Sequence, residues 1–203
     1  MKTFCEMKTL AKSQIKGRIG ILLVMHLIAF ASIYIPCLCI SCLIPLVGDL
    51  VSNIVAGVFA LGLTIVYLKL AKSEDISIGD VFAGFDDLWT AIKAQFFMGL
   101  FTFLWFLLLI IPGIIKAFSY SMTFFILAEN KGMPVLKAIT LSRKMMDGHK
   151  LDFLLLSLSF FGWFLLVLLT FGLAAIWVCP YSYATYSNFY LSVKEDYMAK
   201  SSD

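Results

Sequence analysis

The sequence contains few charged residues, and this shortage is its most informative feature. Lys, Arg, Asp and Glu together make up 14% of its 203 residues, against roughly 25% in a typical soluble domain. Hydrophobic residues make up 61%, where about half is usual for a soluble domain. Because charges are costly inside a lipid bilayer, this composition predicts an integral membrane protein. The length suits one helical bundle and is short for two domains.

Motifs that carry catalytic chemistry are also missing from the sequence. It has no phosphate-binding loop, no HExxH zinc motif and no nucleophile elbow. No pair of carboxylates lies within an apolar run, and the basic residues form no stripe of the kind that binds nucleic acid. We therefore predict that the protein is not an enzyme, holds no cofactor or metal, and does not bind nucleic acid.

Three of the five cysteines form a cluster at Cys37, Cys39 and Cys42. Neither a histidine, an aspartate nor a second CxxC pair accompanies the cluster at the spacing of a metal site. One interpretation is that the three cysteines are small apolar side chains of a membrane segment. The alternative is a disulfide or a thiol site at the outer face of the membrane.

Long uncharged stretches indicate where the chain crosses the membrane, since one helical crossing needs about 20 apolar residues. Pro112-Gly113 predicts a hairpin tip within one stretch, and Phe171-Gly172 predicts a turn within another. Together they predict an all-α fold, a polytopic membrane helical bundle with six transmembrane helices arranged as three hairpins. The six predicted spans cover residues of about 19–36, 50–69, 94–111, 114–128, 153–170 and 174–193.

The first apolar run also has features of a secretory signal, because Ala29-Phe30-Ala31 resembles a cleavage site. However, the apolar character continues beyond Ala31 to Val47. We therefore interpret the run as a retained first span.

Lys and Arg predict the orientation, because they are enriched on the cytoplasmic side of membrane proteins. With both termini in the cytoplasm and the chain in the inner (plasma) membrane, every Lys and Arg except Lys116 lies inside. Lys116 follows the predicted hairpin tip, so it is expected to anchor the chain at the outer interface by snorkelling. The alternative is a functional lysine in a polar cavity.

The three predicted inner segments are amphipathic. Residues 81–92 carry apolar side chains at helical spacing after Asp80, a predicted N-cap, and weaker patterns occur at 4–15 and 135–146. These segments are expected to lie on the inner leaflet, to cap the bundle, or both. An amphipathic helix, a span, an outer turn and a second span then recur three times in one orientation, unlike the inverted repeats of many transporters.

Polar side chains within the predicted spans are the candidates for a functional site. In the last span, three tyrosines share one helix face at spacing i, i+3, i+7. Three interpretations of these side chains remain open. They could form a polar seam between helices, an aromatic belt near the inner surface, or the lining of a substrate or lipid pathway. The candidates are His26, Lys116, Tyr120, Tyr183, Tyr186 and Tyr190.

Residues Leu107–Met122, which read LLLIIPGIIKAFSYSM, resemble a motif of a bacterial multi-pass membrane family catalogued as domain of unknown function 975. Gly79–Phe85, Ser142–Lys150, Leu158–Trp163 and the tyrosine-rich last helix extend the resemblance over nearly the whole chain. The cysteine cluster is not part of this pattern. The resemblance implies a bacterial inner-membrane protein without established activity or catalytic residues. Four positions of this sequence match the family pattern: Pro112, Gly113, Lys116 and Tyr120.

Two functions follow as expectations. The first is an accessory or scaffold component of the bacterial inner membrane, with the lipid bilayer, other membrane proteins or a second copy as partners. The alternative is a small transporter or channel for a hydrophobic or lipid-like substrate. In that case Lys116, His26 and the tyrosine-rich last helix would line the path.

Overall fold

The computed structural model describes residues 3–41, 45–108 and 110–202. Within these ranges the chain is helical apart from short connections, and none of it forms a β-strand, so the predicted all-α fold is confirmed. A 3₁₀ helix covers Ile78–Phe85. The α-helices are α1 (Phe4–Ile15), α2 (Ile19–Ser41), α3 (Pro45–Ala71), α4 (Leu88–Leu108), α5 (Ile110–Tyr120), α6 (Thr123–Glu129), α7 (Val135–Met145), α8 (Lys150–Leu158), α9 (Phe161–Leu169) and α10 (Ala175–Ser202).

Among the described residues, three helical stretches are long and apolar enough to cross a membrane: Val51–Ala71, Leu88–Leu107 and Lys150–Leu169. A fourth arises if Phe4–Ile15 and Ile19–Ile35, which meet at 92°, count as one span. The six predicted spans are therefore not confirmed. Helices α5 and α6 are each too short to cross a bilayer, and α10 is rich in serine, tyrosine and other polar residues.

Helix α3 forms the centre of the bundle, where α2, the 3₁₀ helix, α6 and α10 all pack against it. Gly62 lets the 3₁₀ helix approach closely, because a Cβ atom at this position would lie 2.0 Å from the carbonyl oxygen of Val81. Gly84 makes the reciprocal contact, and its Cβ would lie 2.1 Å from the carbonyl oxygen of Val58. The two glycines thus allow contact between backbones that any side chain would prevent.

The segment before α4 differs from the predicted amphipathic helix at 81–92, because a 3₁₀ helix occupies its first part. Ser77 rather than Asp80 is the N-cap residue, and its backbone N–H donates to Oδ2 of Asp80 at 2.8 Å. Lys69 donates to Oδ1 of Asp80 at 2.7 Å. Burial alone would raise the pKa of Asp80, but the hydrogen bonds from Lys69 and Ser77 lower it overall. The carboxylate therefore ties the 3₁₀ helix to α3.

Pro112-Gly113, the predicted hairpin tip, lies within α5. Because α5 begins at Ile110, Pro112 lies in its first turn, where a missing N–H is tolerated. Gly113 faces α4, and a Cβ atom there would lie 2.8 Å from Cγ of Phe106. Since α5 ends at Tyr120 and α6 begins at Thr123, the predicted span 114–128 consists of two separate helices.

Helices α8 and α9 run antiparallel to α10. The ring centroids of Phe153 and Phe189 are 5.3 Å apart, and those of Trp163 and Tyr181 are 6.1 Å apart. Between α9 and α10, Phe171 and Gly172 adopt left-handed backbone angles with φ of 50° and 91°. The chain therefore reverses where the sequence predicts a turn. Helix α10 continues to Ser202, beyond the predicted end near residue 193.

Helices α1 and α7 each pack against the bundle by one face. Helix α1 contacts α10, whereas α7 contacts α4, α5, α6 and α10. The exposed faces of both helices carry lysines. The packed face of α1 consists of Met7, Ala11 and Ile15, and that of α7 consists of Val135, Ala138, Ile139, Ser142 and Met145.

Candidate functional site

The six candidate residues do not lie along one seam but in separate parts of the bundle. Two of them meet in an aromatic cluster, a third contacts a buried glutamate, and Lys116 faces a polar pocket. The remaining two tyrosines pack among phenylalanines. The structure places Tyr186 beside Phe153 and Phe160, and Tyr120 beside Phe101.

His26 packs against two tyrosines from other helices. Its ring centroid lies 5.8 Å from that of Tyr67 on α3 and 5.7 Å from that of Tyr183 on α10. The two tyrosine rings stack at 5.3 Å. Nδ1 of His26 lies 3.0 Å from the carbonyl oxygen of Leu22, so the tautomer with a proton on Nδ1 donates there. Nε2 is buried and has no hydrogen-bond partner within the described ranges.

A charged cluster forms around the buried carboxylate of Glu129, a residue that the sequence analysis does not include among the candidates. The Glu129 side chain is only 5% exposed. Oε1 of Glu129 lies 2.6 Å from Nζ of Lys72, and Oε2 lies 2.6 Å from Nζ of Lys194. The Tyr190 hydroxyl donates to Oε2 at 2.7 Å. The carboxylate thus joins the end of α6 to α10 and to the residue after α3.

Glu129 remains ionised in this environment. Burial alone would raise the pKa of its carboxyl, but hydrogen bonds from Lys194, Lys72 and Tyr190 lower it overall. Both carboxylate oxygens have cationic partners, so the group is bound in place rather than free to accept a substrate proton. Glu129 therefore serves to connect helices through its ion pairs.

The position of Glu129 explains why the sequence did not indicate it. Glu129 lies one residue beyond the fourth predicted span, and Lys194 lies one residue beyond the sixth, so neither is a polar residue within a predicted span. The sequence offers one local signal of this cluster. An acidic residue follows one predicted span, and basic residues follow two others. That signal does not specify which charges meet.

Lys116 lines a polar pocket of about 300 Å³ between α5, α7 and the start of α8. The predicted separation of Lys116 from the other basic residues is wrong, because Arg143, Lys144 and Lys150 line the same pocket. The buried Ser142 hydroxyl donates to the carbonyl oxygen of Ser119 at 2.8 Å and holds α7 against the end of α5. Nζ of Lys116 also lies 4.6 Å from the ring centroid of Trp105. The pocket is lined by Lys116, Ser119, Thr140, Arg143, Lys144, Asp147 and Lys150.

His149 connects the start of α8 to α10. Its Nδ1 lies 3.3 Å from Oδ2 of Asp152, and its Nε2 lies 3.0 Å from Oδ2 of Asp196. Asp196 also pairs with Lys200 at 2.6 Å. Hydrogen bonds from Lys200 and His149 lower the pKa of Asp196. This network therefore engages the carboxylates of Asp152 and Asp196.

The cysteine cluster is not placed by the structure. Cys42 and the side chains of Cys37 and Cys39 lie outside the described part of the molecule. Cys5 and Cys179 are free thiols. In the part of the chain that is described, no group of three or more His, Cys, Asp or Glu side chains is placed to hold a metal ion.

The sequence profile of a family described as "Protein of unknown function (DUF975)" matches residues 106–197. The chain contains a DUF975 segment. This match confirms the family resemblance for α5 through most of α10, whereas the similar residues 79–85 lie outside it. The DUF975 segment includes the whole Lys116 pocket and, of the Glu129 cluster, all but Lys72. A search of curated proteins and a search of solved structures returned no match.

Proposed function

We propose that the protein is a non-catalytic integral component of a bacterial inner membrane, where it acts as an accessory or scaffold for other membrane proteins. This proposal rests on the exposed apolar surface of two candidate spans. In Leu88–Leu107 and in Lys150–Leu169, only 11% of the most apolar window is buried within the bundle. Leu107 is 73% exposed and Leu168 is 75% exposed. Such surfaces are stable against lipid or against an apolar face of another protein.

The buried polar groups support the same role. Glu129 is held by Lys72, Lys194 and Tyr190, and Ser142 is bonded to the backbone of Ser119. These groups connect helices, and none of them is presented to a bound substrate. A rigid bundle with an apolar exterior fits a structural component better than a catalyst.

The proposed topology places both termini in the cytoplasm. Lys116, the exception to the predicted distribution of basic residues, lines a pocket with Arg143, Lys144 and Lys150. This arrangement supports an orientation with all the basic residues on the inner side. Alkaline extraction should leave the protein in the membrane fraction, and release into the soluble fraction would contradict the proposed location.

The position of Lys116 also favours four spans over six. Lys116 follows the start of α5 at Ile110 by less than two turns, or about 10 Å along the helix axis. Because Lys116 and Lys150 line one pocket, the start of α5 lies only about 10 Å along its axis from a pocket that the start of α8 also lines. A crossing needs about 30 Å. We therefore propose that α2, α3, α8–α9 and α10 span the membrane, with the polar residues of α10 covered by α1 and α3. The apolar α4 would enter from the inner side together with α5 and α6 as a hairpin.

Single cysteines in a cysteine-free background would distinguish the two topologies. Leu107→Cys reports on the break between α4 and α5, and Phe171→Cys, at a fully exposed position, reports on the turn between α9 and α10. In closed right-side-out vesicles, we expect a membrane-impermeant maleimide to label Phe171→Cys alone. Equal labelling of Leu107→Cys from outside would support the six-span arrangement.

The scaffold role can be tested by photo-crosslinking within cells. A photoreactive amino acid at the exposed Leu168 should capture one defined membrane protein, or a second copy of the chain, in stoichiometric amount. The same group at the buried Phe160 serves as the matched control. Crosslinks to lipid alone at Leu168, together with purification of the chain without a partner, would count against the scaffold.

The Lys116 pocket favours the second candidate function, a small transporter or channel for a hydrophobic or lipid-like substrate. Ile115 and Leu151, the sequence neighbours of the lining residues Lys116 and Lys150, are exposed, so an amphiphile could contact both charged and apolar side chains. Proteoliposomes containing a fluorescent lipid would reveal movement between leaflets. Lipid movement that requires Lys116 would support the transporter function. Lipid movement no faster than in protein-free vesicles would contradict it.

A further inference from the structure

We propose that the pocket around Lys116 binds a phosphate group, presented by an anionic phospholipid of the inner leaflet. The proposal goes beyond the scaffold role and rests on the proposed membrane location. It assigns a ligand to a group of residues that come from α5, α7 and the start of α8.

Uncompensated positive charge is the first argument. Four basic side chains line the pocket together with one carboxylate, that of Asp147. Asp147 lies 3.7 Å from Nζ of Lys150, and its side chain is 84% exposed. Arg143 and Lys144 have no ion pair with any described residue. The pocket therefore has a strong excess of positive charge, which an anion would neutralise.

The neighbouring acids do not offset this charge. Asp152 and Asp196, the other carboxylates near the start of α8, are both bonded to His149. Asp196 is also paired with Lys200. Asp152 and Asp196 are thus already engaged.

The chemistry of the available hydrogen-bond donors favours a phosphate group as the ligand. The hydroxyls of Ser119 and Thr140 donate to the carbonyl oxygens of Ile115 and Leu136 in their own helices. The hydrogen-bond donors left for a ligand are therefore the guanidinium of Arg143 and the lysine ammonium groups. Guanidinium matches the geometry of phosphate oxygens, and ammonium groups bind phosphate as point charges.

The size of the pocket is compatible with this ligand. A volume of about 300 Å³ is many times the space that one water molecule needs. A phosphate group and several waters can therefore occupy it together. The surplus volume would accommodate the glycerol part of a headgroup.

Apolar surface beside the pocket indicates that the phosphate belongs to a lipid. Ile115 and Leu151, the neighbours of Lys116 and Lys150 in the sequence, are 44% and 71% exposed. Trp105, whose ring lies under Nζ of Lys116, is 36% exposed. Acyl chains can pack on these side chains while the phosphate meets the basic groups. Basic pockets on the cytoplasmic side of membrane helices bind anionic headgroups by the same physics.

Native mass spectrometry of the detergent-purified full chain, titrated with phosphatidylglycerol, would test the proposal. The variants are K116Q/R143Q and, as an independent pair should the first fail to fold, K144Q/K150Q. The matched control is K93Q/K137Q, which removes two charges from exposed lysines outside the pocket. We expect the pocket variants to bind phosphatidylglycerol about tenfold more weakly and the control to resemble the wild type.

Two further arms identify the source of the phosphate. If inorganic phosphate in millimolar amounts stabilises the wild type but not K116Q/R143Q, and phosphatidylglycerol does not bind, the pocket takes soluble phosphate and the lipid assignment is overturned. Phosphatidylcholine should bind more weakly than phosphatidylglycerol if anionic lipid is the ligand. Equal weakening of lipid binding in the pocket variants and the control would overturn the site itself. Loss of the wild-type protein from membranes would instead refute the membrane location.

Discussion

The phenol oxygen of Tyr190 lies 2.7 Å from Oε2 of Glu129, although 61 residues separate them in the chain. The same carboxylate oxygen lies 2.6 Å from Nζ of Lys194, and the ring of Tyr190 stacks on Phe125 at 5.2 Å between centroids. Glu129 thereby becomes the residue through which α6 and α10 are held together. Two predictions about stability depend on this contact.

Replacing Glu129 by glutamine should destabilise the bundle. The substitution leaves Lys72 and Lys194 without the carboxylate, and removing one member of a buried pair costs roughly 3–5 kcal/mol. Because the two lysine side chains are 39% and 31% exposed, we expect about 2–3 kcal/mol. Loss of helicity during titration with SDS would measure the effect. The exposed Glu195 provides the control, and an equal loss in Glu195→Gln would contradict the assignment.

The contribution of Glu129 should depend on pH in the acid range. Its pKa is lowered in the folded protein, so its stabilisation is complete above the ordinary glutamate pKa of about 4.3. The stabilisation is lost as the pH falls through the lowered pKa of the folded state. The stability difference between wild type and Glu129→Gln should therefore be constant from pH 7 to 5 and shrink below about pH 4. A difference unchanged at pH 3 would refute this prediction.

Alanine at Gly62 or Gly84 should disrupt the contact between α3 and the 3₁₀ helix. Each new Cβ atom would lie about 2 Å from a carbonyl oxygen, at 2.0 Å and 2.1 Å respectively, and the backbone would have to move. Overpacking of this kind costs about 1–3 kcal/mol. Gly99 in α4 is the matched control, since nothing lies within 4 Å of its Cβ position. Gly99→Ala should be neutral or stabilising by up to about 1 kcal/mol.

Phenylalanine at His26 should preserve the stability of the bundle. The ring contacts with Tyr67 and Tyr183 can be kept by another aromatic side chain. The buried Nε2, which lacks a partner, would be removed, and such a change is often neutral or stabilising. His26→Ala should instead cost about 3 kcal/mol, because it leaves a cavity between the two tyrosines. If both variants lose the same stability in SDS titration, the ring nitrogens rather than the packing would be decisive.

Local sequence determined the class of this protein and the position of some breaks. The shortage of charge and the long apolar runs are properties of neighbouring residues, so they predict helices of a membrane protein without knowledge of contacts. The turn at Phe171-Gly172 is also local, because glycine readily adopts the left-handed angles that a reversal needs. Hydropathy alone, however, joined α5 and α6 into one predicted span, since the break at residues 121–122 interrupts no apolar pattern.

Only the tertiary structure decided which polar groups meet. Glu129 and its lysines are ordinary span-flanking residues in the sequence, and their pairing depends on how α3, α6 and α10 pack. The position of Lys116 along the chain, four residues after Pro112, predicts that it lies at the outer face. The bond between Ser142 and Ser119 instead brings α7, with Arg143 and Lys144, alongside α5. Apolar periodicity reports how each helix is exposed, whereas ion pairs and pockets arise between helices whose relative positions no local pattern encodes.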